Sequence, residues 1–365
     1  MDTTASIVIS ADDELEACLA RSVAEQWGDG LPIIPPTRER VDRALDAFDL
    51  DPELVLGHVA PLDAPATVRA VTVNAVMAGC RVEDLPLVFA ATEAMCRPEF
   101  NLLGGQPTTH PVGVAAFVSG PLTSASGVNC GSNAFGPGNR TNATVGRALR
   151  LVLLNIGGGI PGEVDHATFG HPGKYTWFFG ENQTASPWSS WAERSGVAKS
   201  DETVVTAVGA GGFLNMLETT SSAEELLRVF ARTVALPTSN DLLLNGEPLI
   251  VMSPEHAAVF ANAGFDVTDV QHRLWTSARL AVQEFSDSAQ RYRLVPNWGP
   301  VLGELAPDTL IPLCERPELF RVVVSGGTGR HSVFVPSPGA GQSCTAVLDP
   351  YVRALKDTGA DRRAR

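Results

Sequence analysis

An α/β fold, with a mixed sheet, helices on its faces and glycine-rich active-site loops, is what the sequence predicts on three observations. Short apolar or β-branched runs such as Gly113–Ser119 and Thr203–Val208 alternate with longer runs of helical periodicity. Capping and breaker residues separate these runs at their ends. The stretch from Gly104 to Asn182 then gathers glycines, prolines and small polar residues around one strand and one helix, the way loops held by rigid elements present functional groups.

Taken in order, Asp12–Trp27 has helical periodicity and an acidic first turn, and the breaker run GDGLPIIPP (28–36) stops it. Thr37 is read as the cap of a second helix through Ala47. A short strand near Leu54–Val59 leads into Pro61, after which Ala64–Gly79 and Glu83–Met95 read as two apolar, alanine-rich helices. The glycine-rich loop Gly127–Arg147 feeds a helix beginning near Thr141 or Asn142, with its apolar body at Val145–Asn155. Beyond the centre, Thr203–Val208 is a strand, Ala223–Ala235 a helix and Pro248–Met252 a short apolar run. Ser253 can cap the next helix, with Pro254 suited to its first position. Val267–Phe285 continues as helix. Phe320–Val324 and Ser332–Val335 are strands around the turn GGTGR, whose simplest reading is a hairpin, and ADRRAR closes the chain as a frayed tail. The expected organisation is a helical segment at 1–50, an α/β catalytic domain at 51–350 with 51–200 and 201–350 as its lobes if it has two, and a tail at 351–365.

Composition bounds the function. With 365 residues, 44% of them hydrophobic and 19% charged, the chain can bury a substantial core. A net charge of −14 disfavours nucleic acid or an anionic membrane as the main partner, although a local basic pocket stays open. No basic segment followed by an apolar run opens the chain, and no stretch of about 18 apolar residues suggests a membrane span. The six cysteines are scattered without a CxxC pair, which argues against a disulfide framework or structural zinc. The expectation is a cytoplasmic protein with reduced thiols.

The chemistry-bearing residues concentrate in the centre. In Gly127–Arg147, a glycine-rich loop before a helix N-terminus favours an anion, with Arg140 and Arg147 adding charge-assisted contacts. The alternative is a structural turn capped by Asn142, with its arginines paired to core acids. The spacing matches no nucleotide-binding loop. Cys130, in the same loop, and Cys80, at a helix end, are possible thiolate nucleophiles, against the alternative of inert buried thiols. His110 and His171 could transfer protons or hold a divalent metal with Glu181, while His166 and Asp165 lie nearby; a histidine before proline is also an ordinary turn residue. Lys174, next to an aromatic run, could act as a base, bind a substrate carboxylate or simply face solvent. Arg330 and His331 could reach the same site from the far end of the chain.

The segments DGLPIIPPTRERV (29–41), NAVMAGCRVEDLP (74–86), TTHP (108–111), NAFGPGNRTNATVGRA (133–148), GHPGKY (170–175) and SGGTGRHSVFVP (325–336) together resemble a large bacterial family of hypothetical proteins. The resemblance covers nearly the whole chain. It implies that His110, Asn133, Asn139, Arg140, Asn142, His171, Lys174 and Glu181 are site residues, without assigning their roles, and that Cys130 and His166 depart from the family pattern. Some relatives are linked to a redox selenoprotein or cysteine protein, which implies a possible redox partner. The functional expectation is an enzyme acting on a small anionic metabolite by lyase or hydrolase chemistry, assembled as a homo-oligomer. Two alternatives stand beside it, a thiol-dependent redox enzyme and a non-catalytic metabolite-binding or assembly subunit.

Overall fold

The computed structural model describes residues 15–199 and 201–356. The helix start read at Asp12 and the end of the chain at 357–365 lie outside them, but the expected tail does not begin at 351, because Tyr351 belongs to a short helix, Asp349–Arg353, and Leu355 bridges to Phe48. Two helices open the described chain, α1 (Leu15–Ala24) and α2 (Arg38–Asp46), and the Thr37 hydroxyl caps α2 by accepting from the Arg40 amide. An antiparallel pair follows, β1 (Val55–Val59) and β2 (Ala64–Thr67), then α3 (Val68–Ala78) and α4 (Leu85–Met95). After α5 (Leu102–Gly105) come β3 (Gly113–Ser119), α6 (Arg140–Asn155), β4 (Phe178–Gly180), α7 (Trp191–Arg194) and β5 (Val204–Ala210). The remainder contains β6 (Leu214–Leu217), α8 (Ala223–Val234), α9 (Asn240–Leu244), β7 (Leu249–Met252), α10 (Pro254–Asn262), α11 (Val267–Ser277), β8 (Arg279–Ala281), β9 (Leu310–Pro312), β10 (Arg321–Val324), β11 (His331–Val335) and β12 (Cys344–Val347).

The α/β expectation holds, with the mixed sheet divided in two. One sheet has the order β12-β5-β3-β4 and the other β10-β7-β11-β6, each with one parallel pair among antiparallel ones. Side chains alternate across a strand, so each sheet has two faces to bury. On β3, Ala116 and Val118 join the core under α3, α4 and α6, whereas Ala115 and Phe117 join Leu249 and Val251 of β7 in a core between the sheets. On β7, Ile250 and Met252 point the other way, into a third core with Phe230 of α8, Phe260 of α10 and Leu274 of α11. The result is four layers, helices, sheet, sheet, helices. Strands covered on both faces read as continuous apolar runs, as β5 does in VVTAVGA. Both β5 and β12 lie beyond residue 200 yet complete the first sheet, so the layers do not follow the halves 51–200 and 201–350.

Three expected elements differ. The segment read as helix from Ala64 opens with β2, because Pro65 opposes His58 in the ladder and the Thr67 hydroxyl caps α3 only afterwards, accepting from the Ala70 amide. The helix read over Val267–Phe285 stops at Ser277, and Arg279–Ala281 pairs with Leu310–Pro312, a partner about thirty residues on that local periodicity could not reveal. The strands around GGTGR are not a hairpin. Strand β7 lies between them, parallel to β10 and antiparallel to β11.

One close approach positions the site. A Cβ at Gly146 of α6 would lie 2.5 Å from both the Thr176 hydroxyl and the Trp177 amide, so only glycine lets this helix seat on the segment that enters β4. No helix among the described residues is long and apolar enough to cross a membrane.

Candidate active site

At the N-terminal end of β3 the two halves of the fold enclose a cavity of about 190 Å³. Its walls include Phe100, Val114, Leu153 and Leu244, and its polar residues include His110, Arg150, Asp165 and Lys174. The Lys174 ammonium donates to both Asp165 oxygens at 2.8 and 2.7 Å. The Arg150 guanidinium lies 3.6 Å from the same carboxylate and donates to the Gly159 carbonyl at 3.2 Å. These side chains are only 8% (Asp165), 12% (Arg150) and 16% (Lys174) exposed, so their charges are weakly screened. Two cations face one carboxylate, leaving one net positive charge in the lining. Burial lowers the Arg150 pKa, with Asp165 opposing the shift.

Local sequence explains the placement. His171 opens the 3-10 turn Pro172–Lys174, its Nδ1 accepting from the Gly173 amide at 3.1 Å, and this turn aims Lys174 inward. Its Nε2 lies 3.1 Å from the Ala210 carbonyl, so the ring carries its proton on Nε2. His171 therefore has both ring nitrogens occupied in holding this turn. His110 differs: its ring is half-buried, and Nδ1 is buried with no hydrogen-bond partner. Burial, with smaller contributions from His171 and Lys174, lowers its pKa below the ordinary value of 6.5. At neutral pH it is a neutral imidazole, ready to accept a proton.

The loop that closes the far wall is held by Asp241. This fully buried carboxylate accepts from the Ser337 hydroxyl at 2.6 Å and the Ser239 hydroxyl at 3.1 Å, beside the cavity residues Asn240 and Pro338. Burial raises its pKa from 3.8 to about 7. A folded-state pKa above the unfolded one favours folding most when the group is protonated, so this stabilisation is complete below about pH 4 and lost as pH rises through about 7. Melting curves between these limits should show a loss on the order of 2–4 kcal/mol in the wild type. That loss should be absent in Asp241→Asn, and equal slopes in the two proteins would refute the assignment.

The structure does not assemble the expected metal set of His110, His171 and Glu181. His110 and His171 meet at the start of β3, while Glu181 lies past its other end, roughly 20 Å away by strand rise. There Glu181, 1% exposed, accepts from the Ser119 hydroxyl at 2.5 Å and the Trp191 amide at 2.8 Å, and thereby fixes α7. Burial raises its pKa. No group of three His, Cys, Asp or Glu side chains among the described residues is arranged to hold a metal ion.

The Gly127–Arg147 loop matches the structural alternative only in part, with Arg147 paired to an acid and Arg140 not. Asn139, not Asn142, caps α6, its side chain accepting from the Asn142 amide at 2.8 Å, and the Asn142 side chain pins the loop through Asn129 and Ala134. Asn133 sits at a turn with φ of 62° and bonds the Pro137 carbonyl. Arg147 grips Asp29 with two contacts of 2.7 Å and so ties the DGLP segment to α6. Arg140 donates to the Gly79 carbonyl at 2.8 Å. In the second sheet Arg330 donates to the carbonyls of Thr219 and Thr220, and His331 meets Asn215 on the surface; neither lines the cavity. His166 is exposed.

The possible nucleophiles lack thiolate character. Burial pushes the Cys80 thiol up to about 12 and raises that of Cys130, the opposite of an activated cysteine. Arg150 is the cavity residue that sequence reading missed. The available signal was a charge within the apolar helix, four residues after Gly146 and therefore on the same face. Comparison with family models, curated proteins and solved structures gives no match.

Proposed function

We propose that the protein is an enzyme that binds a small carboxylate-bearing metabolite in the cavity at the start of β3 and performs lyase or hydrolase chemistry on it. The observation that carries this reading is the uncompensated positive charge of Lys174 and Arg150 over Asp165, beside a neutral histidine with an orphaned nitrogen. A buried cation without a full partner gains from an anion, and a carboxylate supplies one with the acceptor geometry that Arg150 and Lys174 prefer. The apolar walls take the rest of a short molecule. The cavity is smaller than the roughly 300–1,000 Å³ typical of drug-sized ligands, which favours a small metabolite.

In this reading Lys174 and Arg150 bind and orient the substrate acid, Asp165 sets their spacing, and His110 accepts a proton from carbon or from an attacking water. His171 holds the turn that aims Lys174. The site then lies one strand length from where a Glu181-bound metal would have been sought. The test is turnover of a carboxylate substrate by His110→Gln, which should fall steeply while the fold persists.

A further inference from the structure

A second pocket, of about 300 Å³, opens among α2, α3, α4 and α6, and four arginines line it: Arg40, Arg43, Arg81 and Arg140. Arg40 and Arg43 are one turn apart on α2, Arg81 follows the end of α3, and Arg140 is the first residue of α6. No carboxylate belongs to the lining. Asp84 lies behind it, wholly buried, held by the Thr141 hydroxyl at 2.9 Å and paired with Arg81 at 3.4 Å.

Arg40, Arg43 and Arg140 form no ion pair with any described acid. Arg40 donates from Nη1 to the Pro35 carbonyl, and Arg140 from Nε and Nη2 to the Gly79 carbonyl. The Arg43 side chain forms no hydrogen bond to any described residue. Such a cluster is unexpected in a chain with 41 acidic residues against 27 basic ones, where acids are plentiful as partners. Arg43, Arg81 and Arg140 are exposed and Arg40 is half-buried, and like charges set around one concavity favour an anion there. Each guanidinium keeps donors free in the planar arrangement that suits oxyanions. The remaining wall, Ile34, Val76, Val82 and Leu85, is apolar.

We propose that this pocket binds a phosphorylated small molecule, the phosphate meeting Arg40, Arg43 and Arg140 and the organic body resting on Ile34 and Val76. A dianion with several acceptor oxygens matches the multiple arginines better than a single carboxylate does. The site is separate from the β3 cavity and does not rest on the reading of that cavity. Cys80, in the same wall, remains an unreactive thiol.

The test is isothermal titration of the full chain with inorganic phosphate and with phenyl phosphate. Phenyl phosphate should bind more tightly than inorganic phosphate, and more weakly as salt rises. Arg43→Ala, which removes no hydrogen bond, should weaken it about tenfold or more. Lys174→Met, in the other cavity, should leave it unchanged. No saturable binding of either probe, or equal affinity in wild type and Arg43→Ala, would overturn the proposal. Binding lost in Lys174→Met but kept in Arg43→Ala would also overturn it, and would place the probe in the β3 cavity.

Discussion

Replacing Asp165 with asparagine is expected to destabilise the protein by about 3–5 kcal/mol, the cost of leaving buried cations without their carboxylate. Asp165 faces both Lys174 and Arg150, and all three side chains are at most 16% exposed. The variant keeps the size of the side chain, so packing changes little and the loss reports the charge. Lys174→Met is the control: it leaves Asp165 beside Arg150 at 3.6 Å and should cost less. Denaturant unfolding of both variants measures the difference. A loss below about 1 kcal/mol in Asp165→Asn would mean that the group behaves as a surface ion pair, and the buried positive charge would cease to be an argument for an anionic ligand.

His110→Gln is expected to lower kcat by roughly 10²–10⁴-fold, the usual contribution of a positioned general base. The ring makes no hydrogen bond to another described residue, and Nδ1 is already orphaned, so folding loses little. Because burial lowers the His110 pKa, the wild-type enzyme should keep its proton acceptor below pH 6.5, and activity should fall only on the more acidic side of that value. Turnover in the variant within tenfold of the wild type, or an acid limb above pH 6.5, would remove His110 from the chemistry.

The fold was legible where local rules govern. Thr37 and Ser253 cap their helices by the expected hydroxyl-to-amide bonds. The apolar runs at 113–119 and 204–210 are central strands covered on both faces. What failed was decided by distant partners: β8 exists because Leu310–Pro312 pairs with it, and GGTGR joins strands that β7 separates. The site divides in the same way. His110, His171 and Lys174 were legible because polar groups in a glycine-rich segment are seldom there for packing alone. Arg147 and Asn142 carry the same outward signature but hold chain segments together, a distinction set for Arg147 by Asp29, 118 residues away in sequence. Glu181 shares a segment with Lys174, yet β4 carries it past the opposite end of β3. Arg150 was hidden because a charged residue in an apolar helix looks like an ordinary solvated position until the Asp165 loop folds over it.

We propose that the β3 cavity recognises a carboxylate by charge. Calorimetric titration of the wild-type protein with a panel of short-chain mono- and dicarboxylic acids, each beside its neutral primary amide, tests this directly. Saturable binding of at least one acid is expected, about tenfold or more tighter than its amide, since a hydrogen bond to a charged group contributes about 1.5–3 kcal/mol. Equal binding of acid and amide, or binding of no acid in the panel, would contradict it.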